Sequence, residues 1–217
     1  MSDGLVLVWD VDQTLSGQYF DPKLFTNPKI KALDYVILNP NAIEVIKKAL
    51  LAKTTGRVSK IGILTNNDNE EFISLVKEKI AIETGYSDIF DFTITANRQN
   101  QNVGPNGQLI KSIATIQDKL PGEENLIKRV YFFDDMPDHV IRKEFGEEFK
   151  DHYIQITPPF VFEIKDRTNW EPILTALTTL PPASGGGRRQ RRRPAKKSRR
   201  RNKKRSYQSR SIRDGSN

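Results

Sequence analysis

The sequence predicts an α/β domain with a central parallel sheet, followed by a basic tail, and three observations point there. Short apolar runs alternate with longer segments whose apolar residues recur every three or four positions, the order expected when helices cover a parallel sheet. Three of the apolar runs end abruptly in carboxylate, hydroxyl or amide residues, and ligands of such sheets bind at the carboxyl ends of strands. The charge is divided. Residues 183–217 hold 15 Lys or Arg against Asp214, which leaves residues 1–182 with 20 basic and 26 acidic residues, a net −6 within a chain of +8.

The first strand is expected at residues 5–9, a continuous apolar run suited to burial on both faces. Residues 16–40 are irregular, with three prolines. Asn41 is expected to cap a helix running to about residue 53, with Ile43, Ile46 and Leu50 on one face and Ala42, Val45 and Ala49 widening it; Gly56 lies beyond its end. Residues 60–65 read as the second strand. Phe72, Val76 and Ile80 recur every four positions in a helix over 68–84 closed by Gly85. Residues 92–95 form a third strand, 97–108 a polar loop, and 109–120 a helix stopped by Pro121 and Gly122. Residues 130–133 and 153–156 complete the strands, and a last helix over 170–180 docks through Trp170, Ile173, Leu174 and Leu177.

The domain is expected over residues 1–180 and a Pro/Gly hinge over 181–187. Residues 188–217 have, Pro194 aside, only Ile212 as an aliphatic residue larger than Ala. Such a segment cannot bury enough apolar area to offset its ordering entropy and is expected to be disordered when free. Its basic residues are Arg188, Arg189, Arg191, Arg192, Arg193, Lys196, Lys197, Arg199, Arg200, Arg201, Lys203, Lys204 and Arg205, with Arg210 and Arg213 further on. That density fits sequence-independent nucleic-acid binding by phosphate neutralisation, and nuclear import equally; the plain alternative is a solvated tail that only aids solubility. With Tyr207 alone for stacking, base reading is not expected. The chain has no cysteine and two histidines, which excludes disulfides and thiolate metal sites and argues against zinc. No signal peptide and no apolar run near the roughly 18 residues of a membrane span is visible, so an intracellular location, cytosol or nucleus, is expected.

Candidate chemistry is concentrated where strands end. The first strand runs into Asp10-Val11-Asp12-Gln13-Thr14, two carboxylates released from an apolar strand toward one pocket. A calcium loop is a poor alternative, because Leu15 stands where that loop needs its turn glycine. The second strand ends in Thr65-Asn66-Asn67, a hydroxyl and two amides. The fourth ends in Asp134-Asp135-Met136-Pro137-Asp138, adjacent carboxylates that repel unless a cation is near; their plain alternative is an acidic start to a following helix. At one sheet edge these groups make a pocket for phosphate and magnesium. Its positive charge is best supplied by Lys111, expected in the helix before the fourth strand, since Lys119 lies late in that helix and Lys128 just before the strand. His139 and His152 read as structural, and Trp9 as packing beneath the site.

In this order the motifs resemble the haloacid dehalogenase (HAD) superfamily of phosphatases across nearly all of residues 4–140. The resemblance implies Asp10 as nucleophile, Asp12 as acid/base with its backbone carbonyl on the metal, Thr65 (with Asn66) as phosphate binder, and Lys111 as charge neutraliser. Asp134 and Asp135, with Asp10 and the Asp12 carbonyl, would be the metal ligands and Mg²⁺ the cofactor. Within the superfamily the chain looks most like the small CTD phosphatases, or NLI-interacting-factor-like proteins, in its polar residue 13, its spacing from Asp10 to Thr65, and Asp134-Asp135-Met136-Pro137 for their Asp-Asn-Ser-Pro. That match makes Asp135 the first choice of ligand, with Asp134 bonded near Lys111. It departs from them in Lys111-Ser112-Ile113 and in the polar 99–108 loop, which replaces their substrate-reading insert. Stand-alone chains of this type occur in large DNA viruses, an origin the tail would suit, and a virion location would then join the nucleus. Three functions compete: a phosphoprotein phosphatase tethered to nucleic acid, a polynucleotide 3′-end phosphatase, and a non-catalytic nucleic-acid-binding protein on the same fold.

Overall fold

A computed structural model of the chain describes residues 4–17, 32–95, 111–123, 125–137, 146–161 and 164–179. The expected loop at 97–108, Asp138, His139, and the hinge and tail lie outside the described residues.

Five strands form one parallel sheet in the order β3-β2-β1-β4-β5: β1 (Leu5–Trp9), β2 (Val58–Leu64), β3 (Phe92–Ile94), β4 (Val130–Asp134) and β5 (Tyr153–Gln155). Helices α1 (Pro40–Thr54), α2 (Glu70–Thr84), α3 (Ile113–Lys119) and α4 (Glu171–Thr179) cover it. The expected α/β architecture is the one observed. Among the described residues no helix is long and apolar enough to cross a membrane.

Because side chains alternate across a strand, the sheet has two apolar faces and two cores. Leu5, Leu7 and Trp9 of β1, Ile61 and Ile63 of β2, and Phe133 of β4 pack with α1, α2 and α4. Val6, Val8, Leu64 and Phe132 face the other way, against Ile116 of α3, Leu126 and Phe149. Trp9 is fully buried and stacks on Phe133 with ring centroids 3.7 Å apart and planes within 7°. Trp170, just before α4, adds a third ring 6.4 Å from Trp9. This aromatic stack sits directly under the carboxyl ends of the two central strands.

Three helix starts differ from expectation, for one reason. Side-chain oxygens that can accept from free backbone N–H groups settle the boundaries. Asn39, not Asn41, caps α1, accepting from the amides of Asn41 and Ala42, and Pro40 fills the first helical position. Asn69 caps α2 by accepting from Phe72 N, and Gly85 closes it in the left-handed conformation. Ser112 caps α3 by accepting from Thr115 N, so Lys111 lies in the extended segment before the helix and not within it.

Asn39 also joins the fold to the site. It is fully buried, its backbone N–H donates to the Leu15 carbonyl at 2.9 Å, and its amide donates to the Thr14 carbonyl at 3.2 Å. Replacing Asn39 by Ala removes a helix cap and orphans a buried carbonyl, so stability should fall by about 2 kcal/mol. The check is urea unfolding, where the midpoint should drop at an unchanged slope.

Candidate active site

The register of the central strands brings the first acids together. Trp9 of β1 pairs with Phe133 of β4, so Asp10 and Asp134 are neighbours at the carboxyl edge, about one strand spacing apart. Asp10 N donates to the Phe133 carbonyl at 2.9 Å and extends that ladder by one residue. By alternation both carboxylates fall on the α3 face, and α3 delivers Lys111 to the same face by docking Ile116 in its core.

Lys111 is buried, and its ammonium donates to Asp10 Oδ1 at 2.8 Å and to Asp134 Oδ2 at 2.6 Å. It also stands 5.8 Å from the centroid of the Phe132 ring. The other oxygen of Asp134 accepts from Met136 N at 2.8 Å, so both Asp134 oxygens are engaged by the protein. Asp135 is half-buried beside them. Carboxylate oxygens of Asp10, Asp134 and Asp135 lie within 4.8 Å of one another. Tyr153 braces this turn from β5, its hydroxyl placed against the carbonyls of Asp134 and Met136. Burial, reinforced by the charges of Asp134, Asp135 and Asp10, holds its phenol well above the usual range.

The carboxylates are short of positive charge. Burial pushes Asp10 up to about 7, against the pull of Lys111 and with a further push from Asp134. Burial, then the charge of Asp134, pushes Asp135 up to about 6. Burial alone would lower Lys111, but the charges of Asp10 and Asp134 outweigh it and keep the ammonium protonated. One ammonium against three clustered carboxylates leaves room for a cation, and an all-oxygen donor set suits a hard ion such as Mg²⁺. Of the cluster, Asp10 and Asp135 have the oxygens left to hold one.

Asp12 points elsewhere. Its carboxylate accepts from the amide nitrogen of Asn67 at 3.2 and 3.0 Å and stands apart from the three-carboxylate cluster. Burial raises it, offset in part by Asn67 and Lys111. Thr65 is fully buried at the end of β2, and its hydroxyl oxygen accepts from Asn67 N at 3.2 Å. Asn66 is exposed beside them. In the sequence Asn67 is only an amide near the site; its spacing of two from Thr65 is the signal for these contacts. Tyr153, three strands from β2 across the sheet, gives no sequence signal. His152 bonds the Val130 carbonyl through Nδ1 at 3.0 Å and packs on Tyr131, away from the strand ends.

No protein-family profile and no curated protein matches the sequence. Among solved structures the chain is similar to a probable YrbI family phosphatase from Pseudomonas syringae pv. phaseolica 1448a, at 19% identity and a TM-score of 0.42 over 82% of this chain and 89% of that one. It is similar to Fcp1, an essential RNA polymerase II CTD phosphatase, at 16% identity and a TM-score of 0.41 over 81% of this chain and 49% of that one. It is also similar to a chain of the Pnkp1/Rnl/Hen1 complex, at 17% identity and a TM-score of 0.42, covering 71% of this chain and 46% of that one. The match thus spans about half of two of these proteins. Likenesses at this level carry no argument about activity, which must come from the site.

The shifted carboxyl groups set a pH dependence in the metal-free protein. Asp10 and Asp135 both have folded-state values above 3.8, so the stability they contribute is complete below about pH 4 and lost as pH rises through 6 and 7. In chelator, the urea midpoint of the wild type should therefore fall relative to Asp10→Asn between pH 4.5 and 7.5. Mg²⁺ should restore it at pH 7.5. An equal pH dependence in the two proteins would exclude a strained Asp10.

Proposed function

We propose that this chain is a magnesium-dependent phosphatase of the HAD type, acting through an aspartyl-phosphate on a phosphoprotein and tethered to nucleic acid by its basic tail. The observation that carries the reading is the buried Lys111 ammonium shared by Asp10 and Asp134 beside Asp135. A structural ion pair needs one carboxylate, whereas a phosphoryl-transfer site needs a nucleophile, a fixed cation and a place for a second one.

In this reading a carboxylate oxygen of Asp10 attacks the substrate phosphorus in line, and the ester oxygen departs with a proton from Asp12. Asp12 then takes a proton from the water that hydrolyses the aspartyl-phosphate. Lys111 neutralises an equatorial phosphoryl oxygen. Thr65, whose oxygen already accepts from Asn67 N, keeps its hydroxyl proton to donate to another. Asp10 and Asp135, with the Asp12 carbonyl as a further donor, would hold Mg²⁺, which would supply positive charge to the transferring group.

A polynucleotide 3′-end phosphatase would use the same catalytic set, with the tail holding the strand. The net −6 of residues 1–182 disfavours it, and a panel of phosphopeptides and 3′-phosphorylated oligonucleotides decides between them. In either case the tail would suit a nuclear location, or the virion if the chain is viral.

Asp10→Asn exchanges an oxygen for an amide at nearly constant volume. It should lower kcat on p-nitrophenyl phosphate by about a thousandfold or more with circular dichroism unchanged; near wild-type turnover would remove Asp10 from the mechanism. Activity should also vanish in EDTA and return with Mg²⁺, and full turnover in excess chelator would point to a different chemistry.

Truncation of residues 184–217 tests the tether. Turnover of p-nitrophenyl phosphate should be unaffected, while duplex DNA binding should be largely lost. If about half of the 15 basic residues meet phosphates, log affinity of the full chain should fall with log salt at a slope near −6, alike on two unrelated duplexes. Equal binding by the truncated protein would move the nucleic-acid surface onto the folded domain.

A further inference from the structure

We infer that Asn67 is the positioning residue that fixes the direction of the Asp12 carboxylate and couples it to the phosphate-binding Thr65. The inference rests on the phosphatase reading above for the step that Asp12 performs and for the phosphate that Thr65 binds.

The segment after β2 is a relay of side-chain acceptors two or three residues apart. Asn67 N donates to Thr65 Oγ1 at 3.2 Å, Asn69 N to Asn67 Oδ1 at 2.8 Å, and Phe72 N to Asn69 Oδ1 at 3.0 Å. Each link is a local turn of the kind Asn and Thr favour. The relay ends in the cap of α2, whose Phe72, Ile73, Val76 and Ile80 are buried in the core.

The second link settles which way the Asn67 amide faces. A backbone N–H can only donate, so the atom facing Asn69 N must be the carbonyl oxygen, and the NH₂ group must face Asp12. That nitrogen lies 3.2 and 3.0 Å from the two Asp12 oxygens, straddling the carboxylate and holding its plane. The Asp12 backbone is pinned separately, through its bridge to Ser16 and the 2.7 Å bond from Gln13 N to the Ser16 carbonyl. Without Asn67 the backbone of Asp12 would stay in place, but its side chain would lose its only hydrogen-bond partner among the described residues. It could then swing toward solvent. An acid/base must meet first the leaving oxygen and then the water within hydrogen-bond reach, and the Asn67 amide defines where that reach ends. The same residue holds the hydroxyl oxygen of Thr65, so phosphate grip and proton transfer share one support.

The test uses the full chain with Asn67→Asp and Asn67→Ala. The aspartate variant keeps volume and the acceptor for Asn69 N but sets a like charge where the donor to Asp12 stood; the alanine variant removes the donor without adding charge, so a kinetic loss shared by both belongs to the donor. Crystal structures of wild type and Asn67→Asp should show the Asp12 carboxylate turned away with the 67–69 turn intact. On p-nitrophenyl phosphate, whose leaving group departs without an acid, kcat should fall by about a hundredfold with KM within about twofold. A burst of nitrophenolate near one equivalent should precede slow turnover, because hydrolysis of the phosphoenzyme needs the base. Asn67→Ala should show the same kinetics plus a lower melting temperature. Wild-type kcat in Asn67→Asp, or an unmoved Asp12 carboxylate, overturns the assignment. If the wild type hydrolyses no phosphomonoester with Mg²⁺, the phosphatase reading fails, and the crystal comparison alone decides whether Asn67 holds Asp12.

Discussion

Lys111 carries one positive charge into a space closed off from water and shares it between Asp10 and Asp134 at 2.8 and 2.6 Å. Taking such ions out of water costs several kcal/mol each, and the attraction between them offsets that cost only when geometry is tight and the remaining oxygens are bonded. Much of the structure serves this condition. Met136 N and the Tyr153 hydroxyl hold the turn after β4, Asp10 N completes the ladder with β4, and the buried Phe132 ring stands 5.8 Å from the ammonium on the same face of the sheet. Burial of Asp10, Lys111 and Asp134 keeps the local dielectric low, which strengthens the ion pairs and raises the cost of the acid left over.

The site is therefore built out of balance. Three clustered carboxylates share one ammonium, and the upward shifts of Asp10 and Asp135 express the missing charge. A protein selected only for stability would replace such a cluster by apolar residues of similar volume. The same shortage of positive charge would favour a dication and a phosphoryl group, as the proposed phosphatase chemistry requires.

Around this centre the loop after β1 is held by residues that each serve two elements. Asn39 caps α1 and supports the Thr14 carbonyl, and Asn67 joins Thr65, Asp12 and the cap of α2. Gln13 stands at φ 57, a region glycine enters freely and other residues only with support. That support comes from its N–H on the Ser16 carbonyl and its carbonyl accepting from Phe160 N, both at 2.7 Å. Local strain of this kind is sustained by the surrounding fold and is common beside reacting groups.

The strand–helix alternation, the five strands and the grouping of Asp10, Asp12, Thr65, Asp134 and Asp135 at strand ends were legible in the sequence, because apolar runs and their abrupt polar ends are local signals. So was the candidacy of Lys111, by elimination among nearby lysines. What local pattern could not decide was which groups bond. The in-register pairing of β1 with β4 puts Asp134 beside Asp10, and the Ser112 cap places Lys111 ahead of α3 instead of on it. The turn after β2 turns the Asn67 amide onto Asp12. Tyr153 had no signal at all, since a tyrosine in a strand is ordinary until the neighbouring strand brings the Asp134 and Met136 carbonyls to its hydroxyl. Residue type and spacing thus determine which chemistry is available at the sheet edge. Strand register, helix capping and amide orientation are set by partners distant in the chain or by competing local acceptors, and only the folded chain decides them.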